Sequence, residues 1–257
     1  MLKKIICFTP GLDSNLICRY FGDSIVEYQK VYFNLNSMYS NNELKFLSNY
    51  YCKNDYDIIY NLNLGDIENK KTAHVPNRNL LMVTMAAAKY NADEVILGGV
   101  ADDRVSDNND DFYNLASQVL SHTMGKDVFV YSPLSHKEKS EWVKELVQPN
   151  DAVDALKIIN GSYSCFSPKF EETNLQIYMY DATGRVNSFM NTMVAGCRKC
   201  PACYRRLCAL TAAGIYVPFD DTKMVINYVD SINKNVHPNR YKSAVDYSRF
   251  IKLLNMV

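Results

Sequence analysis

The sequence predicts an α/β protein whose core is a parallel β-sheet covered by helices on both faces. Short apolar segments alternate with helical segments from the N-terminus to about residue 147. The segment at 94–99 is almost continuously apolar, as in a strand that is buried on both faces. Regular strand–helix alternation of this kind is typical of βαβ units, which place parallel strands side by side.

The first part of the chain supplies the elements of this sheet in order. Strands are predicted at 5–8, 26–35, 57–62, 94–99 and 128–131, and helices at 15–20, 41–52, 79–90, 111–124 and 137–147. Apolar and β-branched residues dominate the strand segments, whereas the helical segments repeat apolar residues every three or four positions. The alternation ends near Asn160, so residues 1–160 are predicted to form one domain and residues 161–257 a C-terminal region.

The C-terminal region has a different pattern. Residues 175–180 and 185–189 are predicted to form a β-hairpin, because a turn that contains Gly184 joins them. A short helix is predicted at 204–213, and the tail from residue 220 is predicted to form two helices that are separated near His237. We expect these elements to form one compact unit with the first domain.

The overall composition is that of a globular protein without a strong charge. Lys+Arg and Asp+Glu each number 28, so the formal net charge of the 257-residue chain is zero, which argues against broad electrostatic binding of nucleic acid. The apolar run at the start ends at Thr9, which is too short for a secretory signal, and no segment approaches the about 18 apolar residues of a membrane span. Clustered cysteines indicate a reducing compartment, so a cytoplasmic location without membrane attachment is predicted.

Four of the eight cysteines are arranged as metal ligands. Residues 197–203 read CRKCPAC, so that Cys197, Cys200 and Cys203 are each separated by two residues, and Cys165 is the candidate fourth ligand. Four thiolates favour tetrahedral Zn²⁺, and a site without an open position is structural. An iron–sulfur cluster and a set of ordinary buried or redox-active cysteines are the alternatives.

The turn after the first strand is a candidate phosphate-binding loop. Residues 9–14 read TPGLDS. Gly11 permits close approach of the backbone, the hydroxyl groups of Thr9 and Ser14 can donate to phosphate oxygens, and the following helix offers its N-terminal N–H groups. An Asp or Ser that simply caps a helix after a strand is an equally good interpretation.

Several segments resemble a known family. The turn is similar to the SGGxDS loop of the N-type ATP pyrophosphatases, from which it differs at Thr9 and Pro10. Residues 75–79 (VPNRN) resemble the VPxRN segment of 7-cyano-7-deazaguanine synthases, a family within that superfamily. Residues 132–141 resemble the PLx₄KxE segment of the same family, and the cysteines match its zinc ligands, including the Cys-Pro pair. The resemblance extends over about residues 5–210.

The resemblance implies a Rossmann-like fold of the adenine nucleotide alpha hydrolase type with a C-terminal zinc loop. It implies the ATP-dependent conversion of 7-carboxy-7-deazaguanine and ammonia to the nitrile, through an adenylated carboxylate and an amide. It also implies a homodimer. Asp13 is the candidate ligand of Mg²⁺, a hard cation that binds carboxylates, and the neutral net charge predicts no direct binding of nucleic acid. By the same resemblance, the catalytic residues are Asp13, Ser14, Arg78 and Lys139, and the ATP-binding residues are Thr9, Gly11, Leu12, Asp13, Ser14, Arg78, Asn79 and Gly99.

Two segments depart from the family. Residues 101–112 are acidic where the family carries a YPDCR segment, and Asp110 is our candidate for binding the N–H edge of the guanine-like base, although an acidic solvent-exposed loop is equally typical. His74 adjoins the VPNRN segment and either lines the same pocket or has a structural role. The segment 166–196 is longer than in the family; it closes over the active site, packs against a partner subunit or decorates the surface.

Three other functions remain open. In the first alternative, the chain is an enzyme of the same type that stops at the 7-amido product or adenylates another carboxylate. In a different class, the chain is a non-catalytic nucleotide-binding module stabilised by zinc, since Pro10 removes an N–H group from the loop. A nucleic-acid-binding zinc protein, suggested by the basic residues near the cysteines, is disfavoured by the neutral charge and by the lack of interleaved aromatic residues. The product serves either queuosine synthesis or DNA modification.

Overall fold

The computed structural model describes residues 2–21, 28–59, 62–70, 73–103, 105–148, 151–181 and 183–254. The chain divides into two compact units, Met1–His136 and Lys137–Val257. The helices that follow residue 136 therefore group with the C-terminal region, whereas the domain boundary expected from the sequence lies after residue 160.

The first unit contains the predicted parallel sheet. Its strands are β1 (Lys4–Phe8), β2 (Tyr28–Phe33), β3 (Asp57–Ile59), β4 (Glu94–Ile96) and β5 (Phe129–Tyr131), and its helices are α1 (Leu12–Phe21), α2 (Ser40–Tyr50), α3 (Arg78–Tyr90) and α4 (Asp110–Met124). In the described part of the chain these strands pair in parallel in the order β3-β2-β1-β4-β5. The predicted α/β class is thereby confirmed; residues 26–27 and 60–61 of two predicted strands lie outside the described residues.

The centre of this sheet is fully apolar. Ile5 and Ile6 of β1 and Val95 of β4 have no exposed surface, because helices flank the sheet. Helix α3 contributes Ala86 and Ala87, which are also fully buried and whose small side chains allow a close approach to the strands. Burial on both faces explains why these strands read as continuous apolar runs.

The strand order reverses between β1 and β4. The chain builds β2 and β3 on one side of β1, then returns to build β4 and β5 on the other side. The loops after β1 and β4 meet there, since a Cβ built on Gly98 would lie 3.1 Å from the Cβ of Asp13. In open α/β sheets, ligands bind at the carboxyl ends of the strands at such a reversal point.

The second unit has a small antiparallel sheet and a set of helices. Its elements are α5 (Lys139–Leu146), α6 (Ala152–Asn160), β6 (Glu172–Tyr180), β7 (Val186–Ala195), α7 (Pro201–Leu210), β8 (Ile215–Tyr216), α8 (Thr222–Asp230) and α9 (Pro238–Leu254). The described strands pair in the order β7-β6-β8. The predicted hairpin and the two C-terminal helices are confirmed, and both hairpin strands are longer than predicted.

Two elements of this unit were not predicted. Helix α6 has a sequence signal, because the side chain of Asp151 caps it by accepting from the N–H groups of Val153 and Asp154. Strand β8 has no local signal; its two residues are extended because they pair with Tyr178 and Met179 of β6.

None of the helices in the described ranges has both the length and the apolar character needed to cross a bilayer.

Candidate functional site

The loop between β1 and α1 is held in shape by its own hydroxyl groups. The backbone N–H of Thr9 donates to Ser14 Oγ at 3.0 Å, and the N–H of Gly11 donates to Thr9 Oγ1 at 3.3 Å. The two hydroxyl oxygens lie 3.3 Å apart. Helix α1 begins at Leu12, directly after the loop, and the N-terminus of a helix favours an anion. This arrangement suits a phosphate group.

Asp13 lies among other carboxylates at the strand-order reversal. Burial raises the pKa of Tyr113, and so do the negative charges of nearby aspartates, which are Asp103, Asp110, Asp107 and Asp13. The influence of Asp13 on this hydroxyl agrees with its contact position next to Gly98. A Mg²⁺ ion binds carboxylate oxygens and phosphate together, so the donor set around Asp13 fits that ion.

Gly99 is required by packing inside the first unit. A Cβ on this residue would overlap the hydroxyl group of Tyr113 and would lie 3.0 Å from Asn108 Oδ1. Its carbonyl oxygen accepts a hydrogen bond of 2.6 Å from Ser132 Oγ. These contacts explain the glycine without a ligand, and contact of Gly99 with ATP stays a prediction.

Arg78 and Asn79 open helix α3 and are linked to the acidic loop. Asn79 is buried, and its Nδ2 donates to the carbonyl oxygen of Asp107 at 2.7 Å. Its Oδ1 accepts from Arg78 Nε at 3.2 Å. Both ends of the Asn79 amide therefore bind protein groups, and the structure gives this residue a positioning role: it holds the Arg78 guanidinium and the loop before α4.

Glu43 in the first turn of α2 is a charged group that the sequence analysis missed. Its Oε2 accepts a hydrogen bond of 2.8 Å from the hydroxyl group of Tyr32. Burial raises the pKa of Glu43 from 4.5 to about 7, although the hydrogen bond from Tyr32 and the positive charge of Arg78 act in the opposite direction. The sequence signal was a carboxylate one turn into a helix that follows a buried strand, which is too common to single out.

The acidic loop uses its carboxylates internally. Asp103 Oδ2 accepts from Asn108 Nδ2 at 2.7 Å and from the N–H of Val100 at 3.2 Å. Asp110 is exposed as the first residue of α4 and follows Asn109, whose side chain caps the helix. Asp103, rather than Asp110, is thus fixed within the loop, and recognition of a base by Asp110 stays a prediction.

His74 and Lys139 are the two remaining predicted site residues. His74 is exposed, and its carbonyl oxygen accepts from the N–H of Asn69 at 2.8 Å in an isolated β-bridge. Lys139 belongs to the second unit, where it is the first residue of α5, between the reciprocal capping groups Glu138 and Glu141. Their predicted roles at the active site stay predictions.

The four predicted cysteine ligands form a cluster in the second unit. The Sγ atoms of Cys165, Cys197, Cys200 and Cys203 all lie within 4.8 Å of one another. Zinc–sulfur bonds of about 2.3 Å in a tetrahedron separate the sulfurs by about 3.8 Å, so these atoms fit one Zn²⁺ ion. A four-iron cluster has to place its own iron and sulfide atoms between the cysteines and holds them further apart.

Backbone groups around the cluster support bound thiolates. Cys165 Sγ accepts from the N–H groups of Ser167 and Cys197, each at 3.3 Å. Gly196 has a φ of 120°, and a Cβ there would lie 2.9 Å from Cys203 Sγ, so the chain passes the cluster at a position that only glycine allows. Such N–H···S contacts are the outer-sphere support that metal ligands require.

Buried Arg206 compensates the charge of the cluster. Its guanidinium donates to the carbonyl oxygens of Ser162 and Ala195, the second at 2.7 Å. Arg198 is instead paired with Asp220 at 3.1 Å, and Lys199 and Arg205 are exposed. Of the four basic residues near the cysteines, Arg206 is therefore buried and Arg198 is ion-paired, and Lys199 and Arg205 are the two that face solvent.

Comparison with protein families gives one match. A model described as "Queuosine biosynthesis protein QueC" matches residues 44–214, which is more than half of the chain. The matched range contains Arg78, Asn79 and the cysteine cluster, whereas the loop at 9–14 lies before it. None of the curated proteins matches the sequence.

Proposed function

Because the chain belongs to the QueC family of queuosine biosynthesis proteins, we propose that it converts 7-carboxy-7-deazaguanine and ammonia to 7-cyano-7-deazaguanine at the expense of ATP. The observation that carries this proposal is the family match over residues 44–214. The hydroxyl-braced loop at the strand-order reversal supports it, because that is where an α/β sheet binds a nucleotide.

The reaction requires two activations of the same carbon atom. In the first, a carboxylate oxygen attacks the α-phosphorus of ATP, pyrophosphate leaves, and ammonia then displaces AMP to give the amide. In the second, the amide oxygen attacks another ATP, pyrophosphate leaves again, and loss of AMP and of the amide protons gives the nitrile. Each AMP carries away one oxygen atom of the original carboxylate.

The residues of the first unit divide this work. The loop of Thr9, Gly11 and Ser14 with the first turn of α1 would bind the triphosphate, and Asp13 would bind Mg²⁺, which neutralises phosphate charge. Arg78 would stabilise the leaving pyrophosphate, since Asn79 fixes its guanidinium at 3.2 Å. These roles are chiefly positioning and charge neutralisation, which is what phosphoryl chemistry asks of a protein. A catalytic role for Lys139, which belongs to the second unit, rests on the family resemblance alone.

In this proposal the zinc ion has a structural role, and the cysteines also bear on the cellular location. Four cysteine ligands leave no open position on a tetrahedral ion, so zinc would fix the second unit and take no part in catalysis. Thiolates at this density persist in a reducing environment, which supports a cytoplasmic location.

A second candidate is an enzyme of the same type that stops at the amide. Pro10 has no N–H group, and the N–H groups of Thr9 and Gly11 both donate within the loop. Fewer backbone donors then remain for the triphosphate than in a loop with glycine at position 10. Weak binding of the second ATP would end the reaction after one activation, and complete loss of turnover would leave a nucleotide-binding module.

Mass spectrometry of the product decides between these candidates. Purified zinc-loaded protein is incubated with ATP, Mg²⁺, ¹⁵N-ammonia and 7-carboxy-7-deazaguanine labelled with ¹⁸O in the carboxylate. We expect a ¹⁵N-nitrile and ¹⁸O in AMP. An amide, heavier by one water, would establish the second candidate. Unchanged substrate without AMP would refute both, and ATP binding would then be measured.

The variant Asp13→Asn tests the loop within the same assay. It removes one charge without changing the size of the side chain, so we expect folding to be retained and product formation to fall by two orders of magnitude or more. The control is Asp111→Asn, an exposed aspartate at the start of α4. Equal activity of the two variants would remove Asp13 from the mechanism.

A further inference from the structure

Strand β7 is an edge strand that lacks the usual protection against pairing. It lies at the end of the order β7-β6-β8, and its sequence, VNSFMNTMVA, contains no charged residue and no proline. Phe189 is 64% exposed, Val186 50% and Met193 42%. Edge strands of monomeric proteins are normally short, charged or interrupted, so a ten-residue uncharged edge indicates a pairing surface.

The hydrogen-bond pattern shows which residues of β7 face outward. The N–H of Gly196 donates to the carbonyl oxygen of Glu171 at 2.8 Å, in the same register that pairs Ala195 with Glu172. Because antiparallel strands alternate, the odd-numbered residues from Ala195 back to Phe189 direct their backbone groups away from β6. Ala195 agrees with this alternation, since its carbonyl oxygen accepts a hydrogen bond from Arg206 and not from β6.

Three consecutive outward positions are available for pairing. Phe189, Asn191 and Met193 direct both backbone N–H and C=O groups to the edge, and within the described part of the chain no group hydrogen-bonds to them there. Their side chains share one face of the sheet. On that face, Tyr178 of β6 is covered by Phe250 of α9, with ring centroids 5.4 Å apart, whereas Phe189 beside it remains exposed.

We propose that two copies of the chain pair through this edge, β7 against β7, about a two-fold axis at Asn191. Identical strands related by a two-fold axis are antiparallel, and the outward groups of three residues then form a self-complementary ladder. A strand without charge does not repel its own copy, which favours a second copy over a charged partner. The two three-stranded sheets become one continuous sheet.

This register also satisfies the side chains. With Asn191 opposite itself, Phe189 lies opposite Met193 of the partner subunit on each side of the axis. Sulfur–aromatic contacts are favourable, and cross-strand pairs of this kind stabilise sheets. The inference concerns the hairpin and does not depend on which reaction the first unit catalyses.

A disulfide across the axis tests the register. In a Cys52→Ser background, which removes an exposed thiol, Asn191→Cys places two cysteines opposite each other with Cα atoms about 5.5 Å apart, within the range of disulfides. We expect mild oxidation to give a covalent dimer of twice the 29.4-kDa chain mass that thiols reverse. The matched control Asn174→Cys, exposed on β6 away from the axis, should remain uncrosslinked. Equal crosslinking of both variants would refute the register.

Sedimentation equilibrium tests the interface without oxidation. We expect wild-type protein at micromolar concentration to have twice the chain mass, and Asn191→Lys to dissociate it at least tenfold more readily, because the strand then carries a charge that meets its own copy. Asn174→Lys serves as the control. A monomeric wild-type protein would overturn the proposal. So would a dimer that Asn191→Lys leaves intact but Leu115→Lys, on the exposed face of α4, dissociates.

Discussion

Gly99 shows how a single residue is determined by its neighbour rather than by a ligand. The hydroxyl group of Tyr113 occupies the space that a side chain at position 99 would need, and it donates to Asn108 Oδ1 at 2.8 Å. The same asparagine donates to Asp103, so one hydroxyl group connects α4 with the acidic loop. Steric exclusion and the hydrogen-bond chain both depend on the position of the Tyr113 ring.

Gly99→Ala is expected to destabilise the protein by about 1–3 kcal/mol, because the new methyl group overlaps the Tyr113 hydroxyl. Tyr113→Phe alone should cost about 1 kcal/mol, through loss of the hydrogen bond to Asn108. The double variant should be more stable than the sum of the two losses predicts, since the phenylalanine leaves room for the methyl group. Urea unfolding of all four proteins measures this coupling. Simple additivity would show that the clash is relieved elsewhere.

Glu43 is expected to give the protein a pH-dependent stability. Its pKa is about 7 in the folded protein against an ordinary value of 4.5, so between these values the folded state holds a proton that the unfolded state has lost. The contribution of Glu43 to the free energy of unfolding therefore falls as the pH rises from about 4.5 to 7, and is constant outside that window. The loss is limited to about 3 kcal/mol by the size of the shift.

Comparison with Glu43→Gln isolates this group. The variant should match the wild type near pH 5 and exceed it in urea midpoint at pH 8, because glutamine does not ionise. The difference in urea midpoint between the variant and the wild type is taken at each pH. The effect of acid on the cysteine cluster is the same in both proteins and cancels. Glu171→Gln, at an exposed position, is the matched control. A difference that is the same at pH 5 and pH 8 would contradict titration of Glu43 with a raised pKa.

At the scale of elements, the start of α3 and the loop before α4 behave as one piece. Asn79 binds the carbonyl oxygen of Asp107, and its own N–H lies 3.4 Å from Asp107 Oδ2. Asn79→Ala should therefore cost about 1–3 kcal/mol by leaving buried groups unsatisfied. It should also speed hydrogen exchange in residues 100–109 and raise the KM for ATP more than Asn41→Ala, which alters an exposed position on α2. Unchanged exchange in the loop would show that Asn79 supports only its own helix.

The sequence predicted elements that have local causes and missed those that have distant ones. The strands of the first sheet were found because burial on both faces makes them apolar, and the cysteine cluster because the spacing of its members is that of metal ligands. Strand β8 exists through pairing with β6, and the role of Asp107 depends on the path of its loop to Asn79. Neither relation leaves a mark within a short window of sequence.

At the scale of the whole molecule, the four-cysteine cluster joins separate segments of the second unit. Cys165 lies in the segment after α6, and Cys197 follows the end of β7. Cys200 and Cys203 lie at the start of α7. Arg206 joins the same region by binding the carbonyl oxygens of Ser162 and Ala195. A structural zinc ion bound by four such ligands contributes an apparent free energy of about 10–16 kcal/mol to folding.

Cys200→Ser is expected to lose zinc and to unfold the hairpin and α7. Elemental analysis should find about one zinc per chain in the wild type and much less in the variant, and hydrogen exchange should rise in residues 172–210. The parallel sheet supplies no ligand, so its protection should change less. The control is Cys52→Ser, whose thiol is exposed. Full zinc content in Cys200→Ser would contradict the four-cysteine site.

The hairpin starts and finishes at the cysteine cluster, since Cys165 precedes it and Cys197 follows it. Both of its ends are clamped, so the turn at 181–185 can be lengthened or replaced without pulling on the rest of the second unit. That turn is therefore a suitable attachment point for a fluorophore, an affinity tag or a second protein.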